Sequence, residues 1–285
     1  MGAMPQTQRA PSPTEPGLAR VPHDNAQVGQ ARLAEGEGGE GGGGLLVRSR
    51  TPTPDPSPQG GGERTLSICG SELVTDLSGA LYWADEGLLV VADLHLEKGS
   101  SFAARGVLLP PYDTAATLAR LARLVTHYAP RCVVALGDSF HDGDGPARLA
   151  GSDREALSIM QRGREWIWIT GNHDPEPATG IGGTFSATMT SGALTFRHLP
   201  TGAPGEVSGH LHPVARVAHR GRAVSRRCFA ADATRMILPA FGAFTGGLNI
   251  RDAMFADVFG TLAFKAHLLG DGRLYAFAAK RCLPD

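Results

Sequence analysis

The chain has no run of 18 or more apolar residues, so nothing in it is built to span a bilayer as a helix. Its N-terminus also lacks a basic start followed by an apolar core and a small-residue cleavage site, and a soluble, cytoplasmic protein with no membrane partner is expected. The four cysteines, Cys69, Cys132, Cys228 and Cys282, form no close pair, which argues against a zinc knuckle or a disulfide framework. They are expected to be small core hydrophobes. Charge of one sign is missing as well: 27 Lys and Arg stand against 28 Asp and Glu, a formal net charge of -1, which disfavours a protein that coats polyanions.

Large apolar residues are scarce from the first residue to about Arg64, where Gly38-Gly39-Glu40-Gly41-Gly42-Gly43-Gly44 and Thr51-Pro52-Thr53-Pro54-Asp55-Pro56-Ser57-Pro58 dominate. Such a segment cannot offset the entropy of ordering its backbone, so residues 1–64 are expected to be a disordered tail and 65–285 the folded domain. The same composition is compatible with a polyproline ligand for a partner, or with an upstream extension absent from the mature protein.

What is present is patterned. Leu88 to Val91, Cys132 to Leu136 and Trp166 to Ile169 are short apolar runs of buried-strand character. Between the first two, Pro110-Pro111-Tyr112-Asp113 starts a helix in which Leu118, Leu121, Leu124, Val125 and Tyr128 recur at helical spacing up to Pro130. A second helix is expected from about Ser152 to Arg162. Strand, helix, strand, helix, strand predicts a parallel sheet with crossovers. From about Phe185 onward, short β-like runs separated by glycine turns predict a second, mixed or antiparallel sheet. The expected fold class is α/β, a four-layer sandwich in which helices flank two packed sheets.

Polar islands follow the apolar runs: Asp93-Leu94-His95, Gly137-Asp138, Gly171-Asn172-His173-Asp174 and Gly209-His210-Leu211-His212. Carboxyl ends of strands are where open α/β sheets place their chemistry. In Asp93-x-His95, alternate side chains of an extended chain project to one side and could grip one ion. Taken singly, either is better explained as a turn residue or a satisfied core histidine. Gly137 allows a sharp turn at Asp138, whose two oxygens could bridge cations about 3.5 Å apart. Asn172 offers a neutral oxygen, and His173 an acid or a hydrogen-bond donor. His210 and His212 would point to one side if extended, and His198, ending Leu194-Thr195-Phe196-Arg197, adds one more imidazole. His127, His219 and His267 lie outside such settings. Arg220, Arg222, Arg226 and Arg227, between Arg216 and Arg235 with Asp232 the one acid in the interval, form either a solvated hairpin face or a phosphate-contacting surface.

The set closely resembles the calcineurin-like metallophosphoesterases. The resemblance implies the four-layer αββα metallophosphoesterase sandwich of two mixed sheets. It implies one divalent metal on Asp93, His95, Asp138 and His212, a second on Asp138, Asn172, His198 and His210, and His173 assisting the leaving group. Many members carry an aspartate three positions after the bridging aspartate to orient that histidine; here the position holds His141, with Asp142 next as an alternative carboxylate. Gly137-Asp138-Ser139-Phe140-His141 is similar to the SbcD-type DNA repair nucleases. Together with Gly-His-Leu-His-Pro and the run from Leu238 to Asn249, it resembles the bacterial ligase-associated DNA damage response phosphoesterases, the PdeM group.

Membership in that group implies a manganese-dependent endonuclease acting on single-stranded DNA in repair, encoded beside a DNA ligase and a helicase with which it could associate. Hydrolysis by a hydroxide between two ions needs no protein nucleophile. Oxygen and nitrogen ligands without thiolates suit Mn²⁺, with Fe²⁺ or Zn²⁺ as alternatives. His173, with His141, would serve the departing oxygen. The competing expectations are a phosphomonoesterase or small-nucleotide phosphodiesterase on the same metals, and a non-catalytic scaffold, which would show degraded ligands. Oligomeric state is left open.

Overall fold

The structure is a computed structural model and describes residues 64–285. Residues 1–63, all but the last residue of the expected tail, lie outside the described residues.

The first sheet contains β1 (Arg64–Ile68), β2 (Ser71–Thr75), β3 (Leu81–Trp83), β4 (Leu88–Ala92), β5 (Cys132–Leu136), β6 (Glu165–Ile169) and β7 (Thr184–Ser186), in that spatial order. β1 to β4 form an antiparallel meander, whereas β4 to β7 are parallel. The crossovers carry α1 (Lys98–Ala104), α2 (Asp113–Tyr128), α3 (Gly145–Arg148) and α4 (Gly151–Gln161).

β4 and β5 are buried at every residue, as expected of parallel strands covered on both faces. Leu89, Val91, Val133 and Ala135 pack under Leu118, Leu121, Leu124 and Val125 of α2. The alternate residues Leu88, Val90, Ala92, Val134 and Leu136 face the second sheet, meeting Leu194, Phe196, Val207 and Phe229. Each fully buried Leu or Phe here stabilises the fold by roughly 1.5–3 kcal/mol.

The second sheet contains β8 (Thr188–Ser191), β9 (Leu194–Arg197), β10 (Glu206–Ser208), β11 (Pro213–His219), β12 (Arg222–Ala231), β13 (Met236–Ile237), β14 (Leu248–Asn249), β15 (Lys265–Leu269) and β16 (Leu274–Ala278). β10 pairs in parallel with β9 and β13, and β12 antiparallel with β11, β13 and β15. On its outer face Phe255, Val258 and Phe259 of α5 (Ala253–Phe259) pack on Cys228, Ala230, Ala266 and Leu268. The order of layers is therefore helices, sheet, sheet, helix, the expected sandwich.

Two expectations need correction, and one part of the first sheet is additional to them. The run beginning at Phe185 does not open the second sheet: β7 joins β6 of the first, and the change of sheet comes between Ser186 and Thr188. The meander β1 to β3 was not anticipated, because β1 and β2 are half-exposed and lack a continuous apolar run and β3, though apolar, has only three residues. Cys69 is exposed in the turn between β1 and β2, while Cys132, Cys228 and Cys282 are buried as expected. Among the described residues no helix is long and apolar enough to cross a membrane.

Candidate metal centre

Register brings the islands together. Ala92, Leu136 and Ile169, the last residues of β4, β5 and β6, are direct neighbours, so the chain leaves all three strands at one edge. The first two exits stay paired beyond their strands: the His95 N–H donates to the Asp138 carbonyl at 2.9 Å, and the Leu96 N–H to that of Ser139 at 2.9 Å. Across the sandwich, Arg197 of β9 and Ser208 of β10 are also neighbours, so His198 and Gly209 emerge side by side.

Two groups of ligand-type atoms result. Asp93, His95 and His212 form one and Asp138, His198 and His210 the other, each with its atoms within 4.8 Å of one another. In the first, His95 Nε2 and His212 Nε2 are 3.4 Å apart and His212 Nε2 lies 3.4 Å from Asp93 Oδ1. In the second, His210 Nδ1 lies 3.2 Å from His198 Nε2, which is also 2.9 Å from Asn172 Oδ1 and 3.3 Å from Asp138 Oδ1. The other oxygen of Asp138 is 3.9 Å from His95 Nε2 of the first group. Asp138 thus reaches both groups. Asp93 and Asp138 are almost wholly buried, so their charge is poorly screened. Imidazole nitrogens this close, with a carboxylate on the same side, fit a shared cation better than direct hydrogen bonds.

The route to this convergence differs from the extended chain expected. Asp93, His95, Asp138, His210 and His212 have positive φ angles of 53°, 42°, 44°, 69° and 44°. His210 and His212 therefore do not point together; they separate into the two groups. Gly137, at φ 69°, lies directly under the His198 ring, where a Cβ would collide with the imidazole. Gly171 is packed as tightly on the Asp138 backbone.

Electrostatics within the cluster are uneven. Burial opposes charge on His198, but the hydrogen bond to Asp138 and the charges of Asp93 and Asp138 outweigh it and push the imidazole up to about 9. Burial likewise opposes ionisation of Asp138; the His198 bond and charge, the His173 N–H and the His95 charge hold it far below the usual carboxylate range. His95 is pushed well down by burial and then by His212, and His210 down by burial and His198. His212 goes up, because Asp93 overcomes the effect of burial.

His173 is the exposed member, with 41% of its side chain accessible. Its N–H donates to Asp138 Oδ1 at 2.9 Å, and its Nδ1 lies 2.9 Å from the His141 carbonyl. A carbonyl only accepts, so Nδ1 carries the proton there, and Nε2 faces Asp138 Oδ2 at 4.0 Å. The His141 ring stacks on His173, centroids 5.3 Å apart. Burial, then Lys98 and His173, push His141 down to about 4. The Asp142 carboxylate is engaged elsewhere, with Arg148 at 2.7 Å and with Ser101. The orienting oxygen on His173 is thus a main-chain carbonyl, which residue identity could not reveal.

Asp174 is a contributor that motif reading passed over. Its Oδ2 accepts the N–H groups of Ser139 and Phe140 at 2.8 and 3.1 Å, and its Oδ1 that of Gly171 at 3.1 Å. One buried carboxyl thereby ties the β5 exit to the β6 exit; burial is the main reason it is raised to about 6.

The arginines between Arg216 and Arg235 do not form one surface. Arg227 turns inward and donates to the Ala240 carbonyl at 2.7 Å, while Arg226 on the opposite face is exposed. Arg235 is spent on Gly202, Val258 and Asp232, and Arg216 on the Pro284 carbonyl. A cavity of about 480 Å³ at the far edge of the first sheet, between Glu86, Arg131, Arg164 and Ser191, gathers no ligand group of this kind.

Two packed mixed sheets with two joined carboxylate and imidazole groups at one edge define a hydrolytic metalloenzyme of the phosphoesterase class. Residues 88–228 match the family model for calcineurin-like phosphoesterases, and the chain carries a domain of that family. The domain and its two ligand groups imply divalent metal ions. Among solved structures, the chain is similar to a Pseudomonas putida nuclease, MPE, at 26% identity and a TM-score of 0.58, over 75% of this chain and 100% of that one. A second, YfcE, a phosphoesterase from E. coli, is matched at 15% identity and a TM-score of 0.34, over 67% of this chain and 98% of that one. No curated protein matches.

Proposed function

We propose that the protein is a manganese-dependent phosphodiesterase that cuts single-stranded DNA. Asp93, His95, Asp138 and His212 would hold one ion, and Asp138, Asn172, His198 and His210 the other. The observation carrying this reading is Asp138, one buried carboxylate within reach of both groups, beneath an exposed histidine. Likeness to a nuclease supports the choice of a nucleic acid.

Bound ions would supply Lewis acidity, lowering the pKa of water and neutralising phosphoryl oxygens. The chain's own residues do the rest. The His141 carbonyl holds the Nδ1 proton of His173 and so fixes the ring with Nε2 on the Asp138 side. His173 would serve the departing oxygen as imidazolium, giving up the second proton, carried on Nε2, to that oxygen. Asp174 holds the Asp138 and Asn172 loops at fixed separation.

The test is hydrolysis of bis(p-nitrophenyl) phosphate, p-nitrophenyl phosphate, and single-stranded and duplex oligonucleotides with added Mn²⁺, Fe²⁺ or Zn²⁺. Diester and single-strand cleavage should dominate with Mn²⁺. A preference for the monoester, or intact oligonucleotides alongside diester turnover, would point instead to a small-molecule phosphoesterase.

A further inference from the structure

We infer that the outer face of α1 is a stacking platform for a nucleobase next to the cut, an inference that rests on the single-strand reading above. Lys98, Phe102 and Arg105 are spaced i, i+4, i+7 and so share one helix face. The helix buries Gly99 and Ser101 and leaves Phe102 half-buried on the other side. The Arg105 guanidinium lies over the Phe102 ring at 4.7 Å and the Lys98 ammonium at 5.7 Å.

The platform adjoins the metal centre. Phe102 is 5.4 Å from the His141 ring, and His141 is 5.6 Å from that of His95 and 5.3 Å from that of His173. A continuous line of rings therefore runs from a candidate ligand to an open helix face. Arg105 is braced by its own helix, donating to the Ser101 carbonyl at 3.3 Å and the Ser101 hydroxyl at 3.2 Å. The guanidinium of Arg105 therefore adds positive charge to the aromatic face.

The loop leaving α1 folds back, with the Val107 N–H on the Phe102 carbonyl at 3.0 Å. Three of the seven large exposed hydrophobic residues among those described, Val107, Leu108 and Tyr112, then fall within six positions. An aromatic surface edged by cations and apolar side chains, one residue away from a phosphodiester-cleaving centre, is the chemistry that holds single strands: bases stack on rings and guanidinium planes while cations take the phosphates.

The experiment uses the full chain loaded with Mn²⁺. Phe102→Leu keeps apolar volume without a ring, Arg105→Gln removes the charge, and Phe102→Trp restores a plane. Phe102→Leu should raise KM for a single-stranded 20-mer roughly ten-fold with kcat within about two-fold, leave bis(p-nitrophenyl) phosphate hydrolysis unchanged, and be rescued by Phe102→Trp. Arg105→Gln should flatten the salt dependence of oligonucleotide KM by about one unit of slope. A 2-aminopurine base beside the cleaved bond should be quenched by the parent and not by Phe102→Leu. If the parent cuts the 20-mer and both variants keep its KM, or if they lose small-diester turnover equally, the platform is wrong and the nuclease reading stands. If the parent hydrolyses the small diester but neither binds nor cuts the 20-mer, the nuclease reading fails and takes the platform with it.

Discussion

Charged groups at the ends of strands and charged groups along strands behave differently in this molecule. The residues after β4, β5, β6, β9 and β10 come from five separated stretches of sequence, yet they meet within a few ångströms because parallel register brings the exits to one edge. The arginines of β11 and β12 are close in sequence and are scattered by the two-residue alternation of a strand, Arg226 outward and Arg227 inward. Sequence proximity is a poor guide to a polar site, whereas strand-end position is a good one.

The sharpest way to break that contrast is at Asp138. Asp138→Asn should lower kcat on bis(p-nitrophenyl) phosphate about 1,000-fold or more, with far-UV circular dichroism unchanged. Near-parental turnover would mean that the strand-end cluster does not act as a unit.

The next largest effect concerns a histidine along a strand. His267 lies in β15, where burial and the charges of Arg64 and Lys265 push it down to about 4 from an ordinary 6.5. Between those values the unfolded chain binds the extra proton, so stability is complete above about pH 6.5 and falls toward pH 4, by about 3 kcal/mol. His267→Gln should flatten this limb in urea titrations at pH 7.5 and 4.5, run with chelator on both proteins. Equal slopes in the two proteins would show that His267 is not the group responsible.

His173→Ala should reduce kcat about 100-fold while metal content by atomic emission stays constant. Loss of bound metal together with rate would instead make His173 part of the metal-holding set. Smaller again, Arg227→Ala orphans the Ala240 carbonyl and should cost about 1–2 kcal/mol in urea denaturation. Arg222→Ser with Arg226→Ser should change stability by less than about 0.5 kcal/mol and oligonucleotide cleavage by less than about two-fold. A ten-fold loss of oligonucleotide cleavage from that last pair, with the small diester unaffected, would restore the hairpin as a DNA surface.

Much of this was legible from residues alone, for physical reasons. β4, β5 and the Trp166 to Ile169 part of β6 announce themselves because strands covered on both faces must be apolar, and each is followed within two residues by a glycine or an acid. α2 was visible from Leu118, Leu121, Leu124 and Val125. The meander β1 to β3 was not, since β1 and β2 are half-exposed with few apolar residues and β3 is only three residues long. The sheet to which Thr184–Ser186 belongs depends on which edge is free, which is a tertiary fact. In the site, side-chain ligands could be anticipated from type and position. The divergence of His210 from His212 was implied by the family resemblance but not by their spacing, because it follows from backbone angles, and the His141 carbonyl could not be anticipated, because every residue has one.

Those backbone angles have a consequence for how the molecule tolerates change. Five of the ten non-glycine residues with positive φ among the described residues belong to the two ligand groups, and left-handed backbone costs a residue bearing a Cβ roughly 1 kcal/mol or more. If His95 and His212 hold metal as proposed, the heat-resistant version of this domain and its active version are different sequences: glycine at either position would relax the backbone and remove a ligand in the same stroke. Selection for thermal stability alone should drive these positions toward glycine or asparagine, and a stabilised variant recovered that way would be a correctly folded, inert sandwich.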